Sequence, residues 1–153
     1  QNDAINELCY HKTIESGSMI SSCTLVMDVV GMTSNNVSTE FLHILNRRAE
    51  VNGRYFPYLF DRILIINAIS TDTKMIRTLK DFCSVYSPRA NVYVTGPERN
   101  PSDVLSKYID IDQLPTEYGG LKGSIMNITH PYYDAITFRR IGGGVLPYRK
   151  GGV

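Results

Sequence analysis

Apolar and polar positions switch between two periods along the chain, and each switch marks an element. Between residues 3 and 15, Ile5, Leu8, Cys9 and Lys12 recur at helical spacing and Gly17 supplies a stop, which predicts an amphipathic helix. From Cys23 to Val30 the run is β-branched and apolar on both alternating faces until Gly31, the pattern of a strand covered on both sides. Asn35, Asn36 and Ser38 offer N-caps to a segment whose Phe41, Leu42, Ile44, Leu45 and Ala49 form one stripe, with Glu40 in the first turn. That predicts a helix to about Asn52, with Gly53 and Pro57 breaking the pattern.

Ile63 to Ile66 reads as a second apolar strand. A third helix runs from Asp72 or Thr73 to Cys83, with Met75, Ile76, Leu79 and Phe82 at i, i+1, i+4 and i+7, and Pro88 ends it. Val92 to Val94 is a short strand closed by Gly96 and Pro97, and Ser102 caps a brief helix reaching Tyr108. Strands that alternate with helices predict an α/β fold: a mostly parallel, mixed sheet with helical crossovers. Residues 1 to 120 form this domain. Residues 121 to 153 carry Gly123, Gly142, Gly143, Gly144, Gly151 and Gly152 with weak periodicity, and read as a loop-rich tail that either packs on the domain or leads toward a further one.

The 153 residues are 42% hydrophobic and 20% charged, with 16 Lys and Arg against 15 Asp and Glu. A chain of this size buries about 69% of its extended surface, enough for a core, so disorder and a disulfide-dense scaffold are excluded. A formal charge of +1 gives no polybasic arm for nucleic acid. The apolar runs fall far short of the ~20 residues that span a bilayer, so membrane contact is expected to be peripheral, and the cysteine usage is that expected of a cytoplasmic chain. Gln1 takes the place of an initiating methionine, and a fragment or processed chain is expected. Cys9, Cys23 and Cys83 have no metal-ligand spacing and fall in apolar segments, as reduced thiols in or near a core do.

Candidate chemistry changes this picture little. Cys83 and Arg89 have the Cys-x5-Arg spacing of a phosphatase loop, but the segment lacks phosphate-cradling glycines and follows a helix. Gly142 to Gly144 precedes Val-Leu-Pro and opens no dinucleotide fingerprint. His11, His43 and His130 lie in different elements without an i, i+4 partner, so no metal site is expected. Asp28, near the end of an apolar strand, is either catalytic or a cap for the following loop amides, and capping is the cheaper account. The sequons at Asn36 and Asn127 carry no meaning in a cytosolic chain.

Four segments, in order, resemble the CRAL-TRIO lipid-binding domain family. They are Met27 to Met32 (Met-Asp-Val-Val-Gly-Met), Arg62 to Ala68 (Arg-Ile-Leu-Ile-Ile-Asn-Ala), Leu79 to Phe82, and Leu105 to Gly120. The last ends in Gln-Leu-Pro-Thr-Glu-Tyr-Gly-Gly and is the most specific. The resemblance implies a sheet floor, a hydrophobic cavity closed by a gate helix, and one bound lipid, with no cofactor and no catalytic group. The family's N-terminal helical lobe would lie upstream. The stretch from Phe138 to Tyr148 resembles the linker that precedes a GOLD domain in some relatives.

On that reading Leu25, Met27, Met32, Leu45, Ile66, Ala68, Met75, Ile76, Leu79 and Phe82 line the cavity. The strands are apolar on both faces, so periodicity leaves open which face looks into it. The helix from residue 72 to 83 is the gate, and its Lys74, Arg77 and Lys80 form a basic ridge for transient contact with an anionic membrane. The family pattern departs at Ser70 to Thr73, which is polar where relatives are Pro-rich and aromatic. In members that bind phosphatidylinositol, acidic and lysine positions align with Tyr58 and Asn91, so the resemblance does not imply inositol-phosphate recognition. The function expected is lipid binding and transfer. The alternatives are an α/β hydrolase or phosphatase, and a degenerate interaction module without ligand.

Overall fold

The computed structural model describes residues 2–35 and 37–124, and the chain divides into two compact units, the first ending at Arg99 and the second starting at Asn100. The first unit runs α1 (Asn2–Ser16), β1 (Cys23–Asp28), α2 (Thr39–Tyr55), β2 (Phe60–Ile66), α3 (Thr73–Tyr86) and β3 (Asn91–Val94). Its three strands form a fully parallel sheet in the order β1-β2-β3. Right-handed crossovers that step the same way across a sheet place their helices on one face. Accordingly α2 and α3 both pack on the face carrying Leu25 and Met27 of β1, Ile63 and Ile65 of β2, and Val92 and Val94 of β3.

Because β2 is central, Ile63 to Ile66 are all buried. Among the described residues β1 is an edge strand and only half-buried from Cys23 to Met27, which differs from the expectation of a strand covered on both sides. It also stops at Asp28, two residues early. Val29 is buried, while Val30 and Gly31 form a turn fixed by Met32 N–H donating to the Val29 carbonyl at 2.9 Å. The register shifts between Cys23 and Thr24, and Phe60, out of step with Ile63 and Ile65, joins the same core.

Ser38 is the N-cap of α2, its hydroxyl accepting from Phe41 N–H at 3.1 Å. The helix does not stop at Asn52. It runs through Gly53 to Tyr55, because Gly53 sits where α2 crosses α3 and a Cβ there would overlap the Val85 carbonyl oxygen. The glycine serves close approach here, not chain reversal. Asn52, buried one residue earlier, donates from its amide to the Tyr86 carbonyl at 2.8 Å. Phe60, Tyr86 and Phe82 stack in succession at the C-terminal end of α3, with ring centroids 5.7 and 5.1 Å apart.

The second unit opens with α4 (Pro101–Leu105). Asn100 caps it, with Pro101 in the first turn, so the cap lies two residues before the expected Ser102. Its most specific motif then has a physical account. Leu114 is buried, a 3₁₀ turn spans Thr116–Tyr118, and Gly119 takes φ 76° to let Gly120 N–H return to the Pro115 carbonyl at 3.0 Å. A Cβ on Gly120 would overlap the Leu114 carbonyl oxygen, so the motif needs both glycines. The loop-rich tail beyond residue 124, with Gly142 to Gly144 and the linker-like stretch, and also Asn36, Asn127 and His130, lie outside the described residues.

Candidate functional site

The C-terminal ends of parallel strands, where chain leaves the sheet for the crossover helices, are where open α/β folds place their sites. Here that edge is held by polar groups. Asp28 ends β1, and its carboxylate accepts from Val30 N–H at 3.0 Å and from the Asn67 side-chain amide at 2.9 Å. Asn67 follows β2 in the left-handed region at φ 61°, a conformation asparagine tolerates better than other side-chain-bearing residues. Asp28 is thus the loop-capping carboxylate, exposed and hydrogen-bonded. Beyond it, Ala68 N–H donates to Thr95 carbonyl at 3.0 Å and Thr95 N–H to Ile65 carbonyl at 2.9 Å, carrying the pairing of β2 and β3 past the strand ends.

Asp72 starts α3. Its carboxylate accepts from Met75 N–H at 3.0 Å as an N-cap, and from Ser34 N–H in the loop after β1 at 2.6 Å. The Ser34 bond foremost, with the Met75 bond second, holds the Asp72 carboxyl below the usual carboxylate range. The cap was readable from the sequence. The bond to Ser34, made across 38 residues, left no local signal.

Between the sheet and helices α2 and α3, the face inherits its apolar residues from the strand period of 2 and the helix period of 3.6. Of the ten residues expected at a ligand face, Leu25, Met27, Met32, Leu45, Ala68, Met75, Ile76, Leu79 and Phe82 come together there, packed around Ile63, Ile65 and Ala49. Ile66 is buried too, but its position in the strand alternation puts it on the opposite face with Leu64. Sequence reasoning passed over Leu59 and Phe60, loop and strand-start residues with no periodic signal, and did not count Val29 among the lining residues.

Beside this core, in the first unit, is an open cleft of about 330 Å³ lined by Ala68, Ser70, Ile76, Lys80, Val94, Thr95, Gly96, Glu98 and Arg99. That is the lower end of the range for small-molecule pockets. It brings Ile76 and Lys80, which sequence reasoning assigned to different roles, to one opening between α3 and the segment after β3. On the outer side of α3, Lys74, Arg77 and Lys80 are exposed, and Arg77 lies 4.0 Å from Asp81 in a solvent-facing pair.

Cys83 is buried on α3, and burial pushes its thiol up to about 11, so little of it is thiolate at neutral pH. Arg89 lies over the Tyr58 ring at 4.7 Å. Among the described residues, no group of three His, Cys, Asp or Glu is placed to hold a metal. No helix there is long and apolar enough to cross a membrane.

A βαβαβ unit with both crossovers on one apolar sheet face, and an opening at the strand ends, is the frame of an α/β ligand-binding domain. The CRAL/TRIO domain model matches residues 4–120, and the chain belongs to that family. Over 108 residues, 71% of its length, it is 30% identical to the phosphatidylinositol/phosphatidylcholine transfer protein SFH11 of Arabidopsis thaliana. The chain covers 28% of that relative's length.

Proposed function

We propose that this chain is the lipid-binding module of a transfer protein, without a catalytic step: it takes up one hydrophobic ligand or phospholipid and passes or presents it between membranes. The family match over residues 4–120 carries the reading, and the transfer activity named for the Arabidopsis relative supports it. Each CH₂ kept out of water during transit is worth about 0.8 kcal/mol, so shielding alone lowers the barrier to transfer.

α3 is the gate in this reading. Its Met75, Leu79 and Phe82 are buried against the sheet face while Lys74, Arg77 and Lys80 face solvent. The closed state buries apolar surface on itself, and separating α3 from the sheet would turn the same residues into a lining. Met27, Met32 and Met75 suit such repacking, since an unbranched thioether adapts to differing shapes. The chain works in the cytoplasm and visits membranes through the basic ridge.

The close packing of these residues favours a second reading, an interaction module that holds no ligand. Native mass spectrometry of the purified chain separates the two. The carrier emerges with a stoichiometric apolar passenger, and Leu79→Trp in a folded chain reduces loading. A chain that stays empty after exposure to mixed phospholipid vesicles is the interaction module.

A further inference from the structure

The sulfur atoms of Cys9 and Cys23 lie 3.4 Å apart, one on α1 and the other on the first residue of β1. A threonine one turn along the helix pins the connecting segment that brings them together. The Thr13 hydroxyl donates to the Cys9 carbonyl at 2.8 Å and accepts from Ile20 N–H at 2.9 Å. Ile5, on the same side of α1, packs against the core. Cys9 is buried, Cys23 half-buried, and Cys83 sits apart on α3. A disulfide holds its sulfurs about 2.05 Å apart, so the pair has to close by roughly 1.4 Å.

We propose that Cys9 and Cys23 are a redox pair whose oxidation forms a disulfide stapling α1 to the edge strand β1. The oxidant is a small disulfide such as oxidised glutathione. The thiolate of Cys23, the less buried of the two, attacks one sulfur of that disulfide and expels one small thiolate. Cys9 then attacks the Cys23 sulfur of the mixed disulfide and expels the second. Two protein thiols are oxidised and one small disulfide is reduced, and the two protein protons end on the two small thiols released. Excess reduced thiol reverses both steps.

Burial, then the Cys9 sulfur beside it, push Cys23 up to about 12, and the Asp61 carboxylate adds to this. The thiolate fraction is therefore small at neutral pH and grows tenfold per pH unit.

The test treats the full chain with oxidised glutathione between pH 7 and 9, traps free thiols with iodoacetamide in denaturant, and maps peptides by mass spectrometry. Two of the three thiols are expected to disappear. The expected product is a Cys9–Cys23 cross-linked peptide lighter by two hydrogens. Its formation accelerates about tenfold per pH unit and is reversed by dithiothreitol. Closing so short a loop is expected to raise Tm by about 5–10 °C. Cys83→Ser keeps the reaction, whereas Cys9→Ser and Cys23→Ser each abolish the cross-link. A glutathione adduct on Cys23 that never resolves, a disulfide involving Cys83, or an unchanged Tm in the cross-linked form would overturn the proposal. So would three thiols left intact under conditions that oxidise the denatured chain.

Discussion

The backbone N–H of Ser34 donates to the Asp72 carboxylate at 2.6 Å, tying the loop after β1 to the first turn of α3. The same carboxylate caps α3 through Met75 N–H, so one side chain fixes both the start of the helix and its attachment to the neighbouring loop. If α3 is a gate, this is its latch at the N-terminal end.

Removing the latch weakens both contacts at once. Asp72→Ala is expected to lower Tm by roughly 2–4 °C, and Asp72→Asn, which keeps an acceptor, by less. Hydrogen–deuterium exchange checks the location, with faster exchange expected at Met75 and Ser34 and little change in β2.

The pH dependence follows in sign from the lowered Asp72 pKa. A carboxyl with a folded pKa below its unfolded one contributes stability above the unfolded value and loses it as pH falls through the folded value. The wild-type chain is therefore expected to lose stability on the acid side of the carboxylate range. Thermal melts of Asp72→Asn across the same series should show a shallower acid limb, since that side chain does not titrate there.

Gly53→Ala separates two opposing effects. Alanine is the better helix former by about 1 kcal/mol, but its Cβ would overlap the Val85 carbonyl oxygen, a backbone atom that cannot rotate away. Forcing α2 and α3 apart costs about 1–3 kcal/mol in comparable overpacking, so the net effect is destabilising. Urea denaturation measures it, and a stabilised variant would contradict the close approach.

Leu79→Ala removes a buried side chain from the middle of the α3 face. The expected loss is about 2–5 kcal/mol, with the spread set by how far the site collapses. In a lipid carrier added ligand stabilises the variant and the wild type alike, because it binds only the folded state. Urea melts with and without phospholipid vesicles show whether it does.

Charge reversal of Lys74, Arg77 and Lys80 to Glu tests the ridge. Each basic residue at an anionic membrane surface contributes about 1 kcal/mol before screening, enough for touching and leaving. Vesicle-to-vesicle transfer is expected to slow on anionic vesicles and to lose most of its salt dependence. Equal rates and salt slopes for the two proteins would return the ridge to an ordinary solvated face.

The α/β alternation, the parallel sheet and the identity of the apolar stripes were legible from the sequence because strand and helix impose periods of 2 and 3.6 on whatever they bury. The family resemblance was legible for a related reason: Gln113 to Gly120 is a closed turn whose glycines answer local steric demands. What the sequence could not decide was everything that depends on which element lies beside which. Ile66 and Ile65 are equally apolar neighbours, and only the placement of both crossover helices on one face put Ile65 toward α2 and α3 and Ile66 away from them. Gly53 reads as a helix breaker until α3 is seen crossing it. Asp72 reads as a local cap until Ser34 arrives from the loop after the neighbouring strand, and Cys9 and Cys23 read as two core thiols until packing brings their sulfurs into contact. Period is a property of one segment and survives in its residues, whereas contact between segments is set by chain crossings that no single segment encodes.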